Sequence, residues 1–173
     1  YYVRIDFAGF EKIIDDLDGV KVDVARSFTD FQYPTNDFKY QVVSFEAGIQ
    51  TMDGETALKY VRSRHGNNGE GSDFARGERQ QKVLQAVKDR VFSYRFLLSP
   101  RKINNISESL ASHLKTDFEP WELIKLAKIA EDIDMNSLIS KTLDDSPGGL
   151  LYPDIVNKAY VLQPRGGDFS QIQ

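Results

Sequence analysis

The amino-acid sequence predicts an α/β protein built as a three-layer α-β-α sandwich, with a mixed central sheet between helices. Two neighbouring patterns carry this prediction. Apolar residues recur at helical spacing near the start of the chain, at Phe7, Phe10, Ile13, Ile14 and Leu17. Val20–Val24 follows and alternates apolar with polar side chains, as a half-buried strand does. A helix that leads directly into a strand is typical of layered α/β folds.

The chain then continues with a loop, a strand and a short helix. Aromatic, proline and aspartate residues break any period in residues 28–38, which are therefore predicted to form a loop. Tyr40–Phe45 is rich in β-forming residues and predicts a strand, in a unit that ends at Gly48. Asp53 has the position of an N-cap for a short helix through Ala57, Leu58 and Tyr60.

The remaining elements follow a glycine-rich segment. Residues 66–72 contain three glycines and no apolar residue, which predicts a mobile surface loop. A long helix capped by Ser72 or Asp73 is predicted to run to about Leu98, because Pro100 restricts the residue before it. Further predictions are helices at 104–114 and 119–133, strands at 138–143 and 159–163, and a loop at 144–152. We expect one domain over residues 1–165 and a polar tail at 166–173.

Charge and composition argue against several classes of function. The formal net charge is -4 at pH 7, which argues against a general nucleic-acid binder with a broad basic face. The sequence has no cysteine, so disulfides and cysteine-bound zinc are excluded. His65 and His113 are the only histidines, and they do not indicate a metal-binding pair. No apolar run is long enough for a membrane-spanning helix.

Four arginines are concentrated on either side of the glycine-rich loop. Arg62 and Arg64 precede it, and Arg76 and Arg79 follow it. Guanidinium groups are planar, permanently charged and matched in shape to phosphate oxygens, so the cluster predicts a phosphate or pyrophosphate site. We expect residues 61–64 to be extended after the short helix, in which case alternation places Arg62 and Arg64 on the same face; a continued helix would separate them by about 200°.

The first turns of the long helix add further polar groups to this site. Its apolar stripe through Val83 or Leu84, Val87 and Val91 continues backwards to Gln80 and Arg76, which are therefore predicted to face inward. Free N–H groups and the helix dipole would increase their attraction for an anion. Asp73 would orient Arg76 or help to hold a cation. The alternative is a surface network of salt bridges among Asp73, Glu78 and the arginines, each worth little.

An ordered series of motifs covers most of the chain. Residues 46–65, EAGIQTMDGETALKYVRSRH, are followed by Asp73, Arg76 and the run Arg79-Gln80-Gln81. Before them come VRIDFAGF at residues 3–10, GVKVDV at 19–24 and DFQYP at 30–34. In this order the motifs resemble the LytR-CpsA-Psr family of cell-envelope proteins. The match corresponds to the later part of the family's domain, without its usual N-terminal portion.

The resemblance implies a phosphotransferase. Such a protein would transfer a phosphoglycopolymer, such as teichoic acid or capsule, from a polyprenyl-pyrophosphate carrier to a peptidoglycan hydroxyl. The catalytic residues implied are Arg62, Arg64, Asp73 and Arg76, and the substrate-binding residues are Arg62, Arg64, Arg76, Arg79 and Gln80. Also implied are a hydrophobic tunnel for the lipid and a magnesium ion, whose usual ligands lie upstream of this chain.

The resemblance also implies a cellular location, and the arginine cluster is compatible with two other functions. The resemblance implies the cell envelope, on the outer face of the cytoplasmic membrane, with anchoring by an N-terminal helix not present in this chain. The same arginines also fit a non-catalytic envelope module that binds phosphorylated lipid or wall polymer. A third possibility is a polyprenyl-pyrophosphate hydrolase with water as the acceptor, because these residues do not identify the acceptor.

Overall fold

The computed structural model contains both helices and strands, so the predicted α/β class is confirmed. The model describes residues 1–93, 99–119, 121–122, 125–126, 128–129, 145 and 148–168. These residues belong to two compact units, 1–135 and 136–173. The predicted single domain over residues 1–165, with a polar tail at 166–173, stays a prediction.

The first helix and the strand after it form as predicted. β1 (Val3–Ile5) leads into α1 (Phe7–Asp16), whose N-cap Asp6 accepts a 2.7 Å hydrogen bond from the Gly9 amide. The chain turns through Asp18 and Gly19, both with positive φ, of 59° and 81°. β2 (Val20–Val24) then buries alternate side chains, as the sequence pattern predicts.

Three strands follow, two of which differ from the prediction. β3 (Phe28–Pro34) occupies most of the range predicted as a loop and pairs with β4 (Tyr40–Phe45). The register shifts between Asp30 and Tyr33, and this irregularity hides the period-two pattern in the sequence. Gly48 begins a strand, β5 (Gly48–Met52), which pairs antiparallel with β2.

Two capped helices carry the arginines. α2 (Gly54–Arg62) has Asp53 as its N-cap, with a 2.8 Å bond from the Thr56 amide. α3 (Asp73–Val91) has Ser72 as its N-cap, so both predicted caps are confirmed. The predicted extension of α3 to Leu98 is wrong. The helix ends at Val91, where the Ser93 hydroxyl donates to the Arg90 carbonyl at 2.6 Å.

The later elements include one more helix of the first unit. α4 (Pro100–His113) confirms the predicted helix at 104–114 but begins earlier, with proline in its first turn. β6 (Leu114–Thr116) follows it and pairs with β1. The predicted strand at 138–143 lies outside the described residues, as does much of the predicted helix at 119–133.

The second unit contains a β-hairpin among its described residues. β7 (Leu151–Val156) pairs antiparallel with β8 (Ala159–Pro164), which confirms the predicted strand at 159–163. The first two residues of β7 fall in the range predicted as a loop.

Strand pairing and core packing explain how the site is supported. Every pairing in the described ranges is antiparallel, in four two-stranded sheets, so the predicted mixed sheet is not seen there. Hairpin-linked strands pair in this way because parallel pairing needs a long crossover. α1, α2, α3 and the β2–β5 pair enclose a core that includes Ile14, Leu17, Val22, Met52, Tyr60 and Val83.

Within the described part of the chain, no helix has the length and apolar character needed to cross a membrane.

Candidate active site

One cavity of about 490 Å³ brings together three of the four clustered arginines. Arg62 is the last residue of α2, and Arg64 lies just beyond it. The helix stops because Ser63 is extended, with ψ of 133°. The prediction that residues 61–64 are extended is wrong for Val61 and Arg62, which belong to α2, but Arg62 and Arg64 both line this cavity. The other lining residues are Phe7, Gln32, Pro34, Tyr40, Val61, His65, Arg76 and Gln80.

The α3 side chains occupy a different helical phase from the predicted one. The buried residues of α3 are Ala75, Arg79, Val83 and Ala86, whereas Gln80 is exposed and Leu84 is 66% exposed. The prediction that Gln80 points into the core is therefore wrong by one residue, or about 100° of rotation. Arg76 is only partly buried. Arg76 and Gln80 nevertheless line the same cavity as Arg62 and Arg64.

Asp73 supplies the carboxylate closest to these cations. Its Oδ1 lies 2.6 Å from Nη1 of Arg76 and 3.7 Å from Nη2 of Arg64. Asp73 therefore orients Arg76, one of the two roles predicted for it. The Asp73 and Arg64 side chains are 70% and 64% exposed. Solvent-exposed pairs of this kind contribute about 1 kcal/mol or less to stability, so the interactions are easily exchanged.

Arg62 has no carboxylate partner within salt-bridge distance in the described residues. Its Cζ lies 4.2 Å from the centre of the Phe7 ring and 5.6 Å from that of Tyr33. The aromatic faces attract the cation, and the Tyr33 side chain also forms a hydrogen bond with Arg62. Arg62, Phe7 and Pro34 also line a second cavity of about 410 Å³. Arg62 thus lies between two cavities and is held by aromatic side chains rather than by a carboxylate.

Arg79 has different surroundings, being 2% exposed and absent from the cavity lining. Its guanidinium donates to the carbonyls of Tyr60 at 2.9 Å, Ser63 at 2.6 Å and Glu70 at 2.8 Å. It also pairs with Oε2 of Glu70 at 2.8 Å. The rings of Phe28 and Tyr60 lie against it. Burial raises the pKa of Tyr60 to about 12, so this phenol is neutral at physiological pH. The sequence predicts Arg79 as a substrate-binding residue, but its donors are used by these internal partners. In this respect Arg79 differs from the other predicted substrate-binding residues, which line the cavity.

Asp30 is a fully buried carboxylate that the sequence reasoning missed. Its Oδ2 accepts hydrogen bonds from the Ser63 hydroxyl at 2.6 Å and from the Arg64 and His65 amides at 3.1 Å. Its Oδ1 accepts from the Gln32 amide at 2.8 Å. Burial alone would raise the pKa of Asp30, but these hydrogen bonds outweigh it and hold the pKa below its usual value.

The glycine-rich loop is fixed to β3 by hydrogen bonds. Asn67 exchanges two bonds with Thr29, from its own amide to the Thr29 carbonyl and from the Thr29 amide to its side chain. Asn68 donates to the Ser27 carbonyl and accepts from Arg26. The loop lies at the surface as predicted, and these bonds tie it to the sheet.

The described residues do not form a metal site by themselves. No three His, Asp or Glu side chains in these ranges are close enough together to hold an ion. Asp73, the acidic residue beside the arginines, is already paired with Arg76 and Arg64. Magnesium therefore stays a prediction from the family resemblance, and no step below depends on it.

A comparison with known protein families covers the full sequence. The LytR_cpsA_psr family model matches residues 1–173. The chain belongs to the LytR-CpsA-Psr family. The predicted resemblance is confirmed.

Individual LytR-CpsA-Psr relatives match most of this chain. TagT of Bacillus subtilis, a polyisoprenyl-teichoic acid–peptidoglycan teichoic acid transferase, is 34% identical over 88% of the chain and 45% of its own length. TagV of the same organism, with the same description, is 30% identical over 90% of the chain and 40% of its own length. The chain thus spans less than half of either relative.

Solved LytR-CpsA-Psr structures share the fold. The crystal structure of B. subtilis TagV superposes with a TM-score of 0.64 at 26% identity, over 99% of this chain and 60% of that one. The structure of TagT bound to LIIa-WTA gives 0.61 at 26% identity, over 98% and 57%.

Proposed function

We propose that this chain forms the pyrophosphate-binding part of an envelope phosphotransferase that moves a phosphoglycopolymer from a polyprenyl-pyrophosphate carrier to peptidoglycan. The observation that carries the proposal is the convergence of Arg62, Arg64 and Arg76 on one cavity with Gln80 beside them. The names of the relatives TagT and TagV supply the substrate class, since both are described as teichoic acid transferases that act on peptidoglycan.

The chemistry needed from these side chains is charge neutralisation and positioning. A peptidoglycan hydroxyl oxygen attacks the phosphorus that bears the glycopolymer and forms a new P–O bond. The bond from this phosphorus to the bridging oxygen breaks, and polyprenyl phosphate leaves with that oxygen. The hydroxyl proton is released to solvent. Arg62, Arg64 and Arg76 hold the pyrophosphate oxygens and offset the negative charge that accumulates on the leaving phosphate.

The surroundings of the cavity match the two halves of such a donor. Phe7, Pro34 and Tyr40 give the cavity an apolar side next to the arginines. A polyprenyl group would lie on that side, while the pyrophosphate would contact the cations. We further propose that the complete protein works at the outer face of the cytoplasmic membrane, where both substrates of such a reaction are found.

The test uses the intact protein, a polyprenyl-pyrophosphate-linked glycopolymer and peptidoglycan. We expect Arg62→Ala and Arg64→Ala each to lower the transfer rate about 10²- to 10³-fold, because each removes a charge-stabilising donor. Arg4→Ala is the matched control, since Arg4 is an exposed arginine in β1 and does not line the cavity. Unchanged transfer in both cavity variants would refute the proposal.

Product analysis separates this function from the other two expectations. Glycopolymer linked to peptidoglycan by a phosphodiester supports transfer. Free phosphorylated glycopolymer without linkage would identify a hydrolase, and tight binding of the donor without turnover would identify a binding module.

A further inference from the structure

The segment that carries Arg62 and Arg64 is held from both sides by buried charges. α2 ends at Arg62, so its last carbonyls lack partners within the helix, and the amides that follow are outside any regular element. The guanidinium of Arg79 satisfies the Tyr60 and Ser63 carbonyls. The carboxylate of Asp30 satisfies the Arg64 and His65 amides. A cation and an anion therefore fix the same turn of backbone.

Ser63 is the residue at which the two interactions meet. Its carbonyl accepts from Arg79 at 2.6 Å, and its hydroxyl donates to Asp30 at 2.6 Å. The Ser63 side chain is completely buried, so it does not touch the cavity where an anion would bind. It nevertheless lies between Arg62 and Arg64, and its conformation sets the spacing of the two guanidinium groups.

We propose that Asp30, Ser63 and Arg79 are positioning residues for the pyrophosphate site, which hold Arg62 and Arg64 in the geometry that binds the anion. This inference rests on the proposed function. It moves Arg79 from direct substrate contact to support of the residues that make that contact. It adds Asp30 and Ser63, which have no side-chain access to the cavity.

The two oxygens of Asp30 explain why a carboxylate is needed here. Oδ1 and Oδ2 both face donors only, namely the amides of Gln32, Arg64 and His65 and the Ser63 hydroxyl. An amide group has one accepting oxygen and one donating nitrogen. Asp30→Asn would therefore direct an N–H towards another donor at one of these positions, and the turn would have to move to relieve the conflict.

Ser63→Ala is the sharpest variant, because it removes one hydroxyl and leaves the backbone and both buried charges in place. The chain provides a matched control in Ser109→Ala. Ser109 is also completely buried, and its hydroxyl donates to Oδ2 of Asp16 at 2.6 Å and to the Asn105 carbonyl at 2.9 Å. Both substitutions remove a buried serine-to-carboxylate hydrogen bond, but only Ser63 adjoins the arginines.

The measurements are the affinity of the intact protein for inorganic pyrophosphate, by calorimetry, and kcat/KM for glycopolymer transfer. Both are made well below the melting temperature of every variant, with folding verified by near-ultraviolet circular dichroism. We expect Ser63→Ala to weaken pyrophosphate binding about 10-fold and to lower kcat/KM about 10- to 100-fold. Ser109→Ala should change only the melting temperature. Asp30→Asn is the second variant and should show a larger loss of affinity than Ser63→Ala.

The outcomes are distinguishable. If the wild-type protein binds pyrophosphate and folded Ser63→Ala binds it as tightly as Ser109→Ala does, the positioning role is wrong while the proposed function stands. If the wild-type protein binds no pyrophosphate and transfers no glycopolymer, both the proposed function and this inference are overturned.

Discussion

Arg79→Ala and Arg76→Ala remove the same side chain from neighbouring turns of α3, yet the structure predicts very different costs. Arg79 forms a buried ion pair with Glu70, whose side chain is 15% exposed. Breaking a buried pair by removing one partner costs about 3–5 kcal/mol, because the remaining charge is left uncompensated. The Tyr60 and Ser63 carbonyls also lose their donors, at about 1–3 kcal/mol for each one that water does not reach.

The same reasoning gives a small cost for Arg76→Ala. Arg76 is 26% exposed and pairs with Asp73, which is 70% exposed, and such pairs contribute about 1 kcal/mol or less. Since whole proteins are stable by about 5–15 kcal/mol, Arg79→Ala threatens folding and Arg76→Ala does not. Among fully folded variants the order reverses. We expect Arg76→Ala to lose more pyrophosphate affinity than Arg79→Ala, because Arg76 lines the cavity directly.

Urea unfolding of the intact protein tests this difference. We expect the free energy of unfolding to fall by at least about 3 kcal/mol in Arg79→Ala and by no more than about 1 kcal/mol in Arg76→Ala. Adding Glu70→Gln to Arg79→Ala should restore part of the loss, because it removes the uncompensated carboxylate. The reasoning is refuted if the two arginine variants are equally stable, or if Glu70→Gln deepens the loss.

Two further predictions concern packing and pH. A Cβ at Gly54 would lie 2.2 Å from the carbonyl oxygen and 2.6 Å from the Cα of Glu11, so Gly54→Ala should force α1 and α2 apart and lower the unfolding free energy by about 1–3 kcal/mol. Gly77→Ala in α3 serves as its control, because a Cβ added there would meet nothing within 4 Å; equal stability of wild type and Gly54→Ala would contradict the close approach. The lowered pKa of Asp30 means that its contribution is fully present above the unfolded-state pKa of about 3.9 and is lost as the pH falls through the folded-state value. Asp30→Asn should therefore lower stability at pH 7 and flatten the decline in stability as the pH falls below about 4, measured by urea unfolding; a decline as steep as that of wild type would contradict this assignment.

Short-range patterns in the sequence were sufficient to predict the N-caps of α2 and α3 and the arginines that line the cavity. Asp53 and Ser72 fix where α2 and α3 begin, because each accepts a hydrogen bond from an otherwise unpaired amide. The concentration of Arg62, Arg64 and Arg76 around the glycine-rich loop is visible from the residue types alone. These features involve neighbouring residues, so the sequence shows them directly.

The supporting residues were harder to predict because they contradict simple patterns. Arg79 occupies a core position of α3, whereas Leu84 is exposed, so an apolar stripe placed the inward face one residue away. Asp30 shares the inner face of β3 with Phe28, but the register shift after Asp30 made the segment look like a loop. A buried charge becomes recognisable only when its partners from other elements are known.

Asp73 gives the arginine site an internal counter-ion. When no donor is present, its carboxylate neutralises part of the charge of Arg76 and Arg64. Under the proposed function, a pyrophosphate bound to Arg76 and Arg64 would compete with this carboxylate, so that binding would exchange one anion for another. After transfer, the carboxylate would compete with the leaving polyprenyl phosphate for the same two guanidinium groups. Asp73 would thereby limit how tightly the product is held and favour its release.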